Sequence, residues 1–188
     1  MLQSRIMTVS FYRRNLPHWQ PEKCSIFVTW RLHGSLPKGF AECLRKWTGE
    51  PGKQFLKADR ILDAASSRPL WLNNPKIAWN VQRAIRRGAE LGHYELRAYV
   101  IMPNHVHVLL DPLVSLEKLM AGIKGVSARG ANAELGRTGE PIWQDESFDH
   151  WIRGPGQFVK IHAYIENNPV KAHLCRKPED WPWSSAHK

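Results

Sequence analysis

The chain has 188 residues, 43% of them hydrophobic and 23% charged, a balance that excludes an intrinsically disordered protein and allows one domain with a sizeable core. Lys and Arg number 27 against 17 Asp and Glu, a net charge of +10, which favours polyanionic partners and says nothing of the fold. No run approaches the ~20 apolar residues of a membrane span, and the N-terminus lacks the continuous apolar region of a signal peptide, so a cytoplasmic protein is expected.

Residues 1–24 read as a basic lead with little periodicity. SIFVTWRL (25–32) is β-branched and aromatic, a strand by composition, and GSLPKG (34–39) is a turn cluster. Residues 40–73 mix short helical patterns with breaks such as GEPGK (49–53). Asn74-Pro75 is a helix start, with Asn capping and Pro at the first helical position. The helix that follows places Ile77, Val81, Ala84, Ile85 and Ala89 on one face and Arg83, Arg86 and Arg87 on the others. LRAYVIM (96–102) and HVHVLLD (105–111) are two strands joined by the tight-turn pair Pro103-Asn104.

Leu113 to Leu135 is helical in pattern, with Leu116, Leu119, Met120, Ile123 and Val126 as the buried stripe and Lys118, Lys124 and Arg129 outside it. SFDHWIR (147–153) alternates like a strand, Gly154-Pro155-Gly156 breaks it, and QFVKIHAYIENN (157–168) resumes helical spacing. The predicted class is α+β: a β-α-β-β-α-β unit with one added C-terminal helix, a single domain over residues 1–188 with a tail from 175.

The three cysteines, Cys24, Cys43 and Cys175, show no C-x-x-C spacing, so neither a zinc ribbon nor a disulfide framework is indicated. Nine tryptophans in a basic chain suit stacking on unpaired bases, although ordinary core and surface packing accounts for most of them.

Two imidazoles stand out. In a strand, residues i and i+2 share a face, so His105 and His107 project together while Val106, Val108 and Leu110 take the opposite face. Neutral His is the commonest side-chain metal ligand, and two partly exposed histidines on a sheet face are the plain alternative. In the last helix, Tyr164 falls at the edge of an apolar stripe and shares a face with Asn168 and Lys160.

The stretches MPNHVHVLL (102–110), PIWQDESFDHWIR (141–153), YIENNPVKA (164–172) and WPWSS (181–185), with PHW at 17–19 and SLP at 35–37, resemble the REP-associated tyrosine transposases of the single-tyrosine HUH superfamily. The resemblance covers nearly the whole chain. It implies a ferredoxin-like fold and a metal-dependent enzyme that nicks and rejoins single-stranded DNA through a 5′-phosphotyrosine intermediate on hairpin-associated DNA. By position it makes His105 and His107 metal ligands, Asn168 the third ligand and Tyr164 the nucleophile.

The residue types suit that chemistry. A cation neutralises phosphate oxygens, and a tyrosinate stores the bond energy so that a 3′-hydroxyl can reseal the strand. Free Tyr has a pKa near ~10, so a metal or Lys160 must favour its anion; Lys160 is equally a phosphate contact or a solvated residue. Mg²⁺ or Mn²⁺ is expected, and Zn²⁺ would bind such ligands too.

Asn168 precedes Pro169, so it is also a candidate helix cap. Asp149 is a candidate support for the site or a surface acid at a strand end. Arg83, Arg86, Arg87, Lys124 and Arg129 are candidate DNA contacts or solvated faces, and Trp181, Trp183, Ser184 and Ser185 resemble the family's C-terminal segment, which simple packing of a tail also explains. Two rivals remain: a catalytically silent single-stranded nucleic-acid-binding protein of the same fold, and a hydrolase using water. The resemblance is compatible with a monomer or a homodimer.

Overall fold

Alternation along one strand organises the interior. In the chain's computed structural model, which describes residues 10–13, 17–20, 24–37, 39, 51–64 and 69–188, Ile26, Val28 and Trp30 enter one buried cluster while Phe27 enters another. These residues lie on the strand Ile26–Arg31, here β3, after β1 (Ser10–Arg13) and β2 (Pro17–Gln20). β1 and β2 pair antiparallel within the segment whose sequence reads only as a basic lead.

β4 (Tyr94–Ile101), β5 (His105–Pro112) and β6 (Phe148–Trp151) complete a four-stranded antiparallel sheet in the order β4-β5-β3-β6. Counted within the predicted unit, that is second, third, first, fourth, the ferredoxin-like arrangement. The strands predicted at 25–32, 96–102, 105–111 and 147–153 are all present.

One face of the sheet carries α2 (Pro75–Glu90) and α3 (Leu116–Leu135). The start of α2 is as predicted: Lys76 N–H donates to Asn74 Oδ1 at 3.0 Å, and Pro75 occupies the first turn. Along α3 the buried stripe runs through Leu116, Leu119, Met120, Ile123, Ser127 and Ala131. Val126, predicted buried, is 44% exposed; stepping by four from Ile123 brings Ser127 to the sheet, where its hydroxyl accepts from Trp143 Nε1–H. The helix ends on Gly136, whose φ of 64° is a left-handed cap that glycine adopts without strain.

The other face carries α1 (Pro51–Asp63) and α4 (Pro155–Glu166), followed by the short turn α5 (Asn168–Lys171). Helix α4 begins on Pro155 itself, two residues before the predicted stretch, because proline suits a first helical position. Phe27, Val100, Met102, Leu109, Ile152 and Ile165 form the core on this side, with Phe55 and Tyr164 packed against it.

The C-terminal residues close an edge. Ile101 N–H donates to Trp183 C=O at 2.8 Å, Ser185 N–H to Tyr99 C=O at 2.9 Å, and Val100 bridges Ser184. The tail therefore pairs with the outer side of β4, which would otherwise offer unpaired backbone groups. Among the described residues no helix is long and apolar enough to cross a membrane.

Candidate active site

The register of β5 decides where the histidines point. His107 lies opposite Thr29 and Val100, and His105 opposite Arg31, so both rings face α1 and α4 while Val106, Val108 and Leu110 fill the core on the α2–α3 side. Both imidazoles are wholly buried, their centroids 4.7 Å apart. The plain alternative of partly exposed rings is therefore corrected: α1, which the sequence did not reveal as a helix, lies over them.

Their protonation follows from their neighbours. Asn104 Nδ2 donates to the Leu62 carbonyl at 2.9 Å, which turns its Oδ1 toward His105 Nδ1 at 2.6 Å. An amide oxygen can only accept, so Nδ1 carries the proton and Nε2 is a bare lone pair. Burial, then the neighbouring His107, holds His105 down to about 3, so it stays neutral near pH 7. His107 Nδ1 meets Thr29 Oγ1 at 2.6 Å, a hydroxyl able to accept in the same way.

Asp59 of α1 completes the cluster. Its Oδ1 lies 3.2 Å from His107 Nε2 and 3.5 Å from His105 Nε2, and all three residues are buried. Burial works against its charge, but His107, His105 and the Tyr164 hydrogen bond outweigh it and hold the carboxyl below the usual carboxylate range. Asn168, fully buried, aims its amide at His107 Nε2 with Nδ2 at 3.3 Å and leaves its Oδ1 without a partner. A half-turn of that amide exchanges the two atoms.

Asp59 Oδ1, Asn168 Oδ1 and His105 Nε2 are all buried without a hydrogen-bond partner. Buried acceptors left unpaired are costly, above all Asp59 Oδ1 and His105 Nε2, which face each other at 3.5 Å, and a divalent cation removes that cost. The donor set fits such an ion.

Tyr164 Oη donates to Asp59 Oδ2. Its ring meets Phe27, Phe55 and His107 edge-on at 6.2, 6.1 and 5.8 Å. Burial first, then the charge of Asp59, pushes its hydroxyl well above the ordinary tyrosine value. Lys171 Nζ stands 5.2 Å from the Tyr164 ring centroid and 3.8 Å from both Asp59 Oδ2 and Asp63 Oδ2. Burial and the Asp59 charge raise Asp63 to about 6, against the pull of Lys171.

Other candidates lie elsewhere. Asn168 makes no capping bond, since Asn167 is the cap residue of α5 and caps without its side chain; the capping alternative is set aside. Asp149 pairs with Val28 and so faces the α2–α3 side of the sheet, away from the histidines, which corrects its candidacy as support for the site. Lys160 is exposed on α4, and the cation beside Tyr164 is Lys171. Arg83, Arg86, Arg87 and Arg129 are exposed on α2 and α3, on the far side of the sheet; Arg86 donates to Tyr99 Oη and Arg87 pairs with Glu90. Lys124 donates to the carbonyls of Gln144 and Asp145 at 2.9 Å.

Residues 61–168 match the family model described as Transposase IS200 like. The chain belongs to the IS200-like transposase family. The matched span of this family member includes His105, His107, Tyr164 and Asn168, whereas Asp59 lies just before it. It is 28% identical over 99 residues to the REP-associated tyrosine transposase of Escherichia coli K12, covering 50% of this chain and 56% of that protein. A relative from Haemophilus influenzae is 27% identical over 116 residues, covering 56% of this chain and 66% of its own length. The matches thus span less than two thirds of either relative. A solved structure of a REP-associated tyrosine transposase bound to a REP hairpin superposes with a TM-score of 0.59 at 20% identity, over 95% of this chain and 83% of that one; at that identity the likeness concerns the fold.

Proposed function

We propose that this chain is a metal-dependent single-stranded DNA endonuclease and strand transferase that works through a phosphotyrosine on hairpin-associated DNA. The observation that carries the reading is the set of buried acceptors left without a hydrogen-bond partner on His105, Asp59 and Asn168 beside His107 Nε2, with the Tyr164 hydroxyl hydrogen-bonded to Asp59. His105 Nε2, His107 Nε2 and Asn168 Oδ1 are the ligands expected from the family resemblance, and Asp59 Oδ1 adds a carboxylate. Mg²⁺ or Mn²⁺ suits two imidazoles with oxygen donors. Bound there, it would neutralise phosphate oxygens and favour the tyrosinate.

The chain's own residues do the rest. Asn104 and Thr29 hold the two rings in the tautomer that presents Nε2, a role such partners commonly fill. Asp59 holds the Tyr164 hydroxyl beside the centre and accepts its hydrogen. The aromatic contacts of Phe27 and Phe55 fix the direction of the phenol and exclude water behind it. Lys171, half-exposed at the rim, is the cation available to a phosphate of the strand.

Incubation with single-stranded DNA and Mn²⁺ should yield a covalent protein–DNA band on a denaturing gel. The tyrosyl bond should be to a 5′-phosphate, with a free 3′-hydroxyl on the other fragment. The band should therefore carry a 3′ end label and not a 5′ one; the reverse labelling refutes the polarity, and cleavage without any band refutes the tyrosine mechanism in favour of water.

Binding should favour single-stranded or hairpin DNA over blunt duplex and weaken steeply as salt rises, because a net charge of +10 releases counterions on meeting phosphates. Equal affinity for duplex and single strand across a salt titration counts against the reading.

A further inference from the structure

On the sheet face opposite the histidines, the start of α2 and the end of α3 border an open cleft of about 420 Å³ lined by Pro75, Lys76, Trp79, Asn80, Glu134 and Trp183. That volume falls in the ~300–1,000 Å³ range of small-molecule sites. Trp79 is 50% exposed, unusual for so large an apolar side chain, and Arg83 one turn later sets its guanidinium 4.7 Å from the indole centroid. Lys76 and Glu134 form an ion pair at 3.3 Å across the two helices, with Lys76 75% exposed.

Gly130 makes room for Asn80. A Cβ at Gly130 would stand 2.7 Å from Asn80 Cγ, so only glycine lets α3 pass so close to that amide. The cleft therefore combines aromatic surface from Trp79 and Trp183, an amide that can donate and accept, and the exposed Lys76 of the Lys76–Glu134 pair, with the Arg83 guanidinium against Trp79 beside it.

We propose that this cleft holds one unpaired base of single-stranded DNA, stacked on Trp79, with its polar edge on Asn80 and its backbone phosphate near Lys76 and Arg83. The proposal rests on the DNA-cleaving reading above and extends it to base recognition. The chemistry argues for a base over a plain apolar ligand: stacking and cation–π surfaces are joined to amide and charged groups, in a chain of net charge +10. The tail supplies a physical link to the nucleophile. Trp183 lines the cleft, and two residues later Ser185 Oγ donates to Glu166 on the Tyr164 helix at 3.1 Å.

The test compares two probes of equal charge, an oligothymidine of about 20 nucleotides and an abasic strand of the same length, on the full chain. Stacking on one aromatic side chain predicts that Trp79→Ala loses about tenfold in affinity for oligothymidine and nothing for the abasic strand. Trp79→Phe, which keeps an aromatic face, should retain most of the preference. Trp79→Ala binding both strands as the wild type does overturns the cleft, as does an equal loss on both. If the wild type forms the adduct but Trp79→Ala is indifferent, only the cleft fails. If the wild type binds neither strand, the functional reading fails with it.

Discussion

Tyr164→Phe should abolish strand cleavage and the covalent adduct while leaving DNA affinity nearly unchanged. Phe keeps the ring that packs edge-on against Phe27, Phe55 and His107 and removes only the oxygen. The variant also leaves Asp59 Oδ2 without its phenol donor, so the metal-free fold should lose about 1–3 kcal/mol, the usual cost of an abandoned buried acceptor. Circular dichroism and DNA binding on the same preparation separate lost chemistry from lost fold. A variant that still cleaves at the wild-type rate would move the nucleophile away from Tyr164.

The second large effect is expected at Asp59, in the metal-free fold and in metal binding alike. Without a metal, Asp59 Oδ1 faces His105 and His107 Nε2 at 3.5 and 3.2 Å with no proton to share between Oδ1 and the bare His105 nitrogen. Asp59→Asn keeps nearly the same shape but removes the charge that its neighbours hold ionised, so the metal-free variant should melt below the wild type. Its response to Mn²⁺ should be reduced, and the Mn²⁺ needed for half-maximal cleavage should rise at least about tenfold, the effect found even for partners that only orient a ligand. A variant that melts lower without metal but keeps the wild-type metal requirement would show that Asp59 serves the Tyr164 hydrogen bond alone.

The contrast between Asp59 and the histidines explains what the sequence could and could not reveal. The strand β5 follows strict alternation, so the shared direction of His105 and His107 was readable from their spacing. The start of α2 was equally plain because Asn74-Pro75 acts locally. Helix α1 was not, because its buried face runs Phe55, Asp59, Leu62: a buried carboxylate sits where the apolar period needs a hydrophobic residue. An acid four residues after Phe55 and three before Leu62 was the available signal. Lys171 escaped because it lies beyond the break at Asn167, where the helical period from Tyr164 no longer applies. The direction of Asp149 depends on its pairing with Val28, and the docking of the tail on β4 depends on contacts some 80 residues apart. Neither has a local sign.

The central claim is that the buried cluster of His105, His107, Asp59 and Asn168 binds a divalent cation beside Tyr164. Electron spin-echo spectroscopy of the purified chain titrated with Mn²⁺ reads this directly, without reference to catalysis. The account predicts one tightly bound Mn²⁺ whose echo is modulated by two imidazole nitrogens, with one of the two couplings missing in His107→Ala. Mn²⁺ that remains fully hydrated in the presence of the folded chain, with no nitrogen coupling, would contradict it.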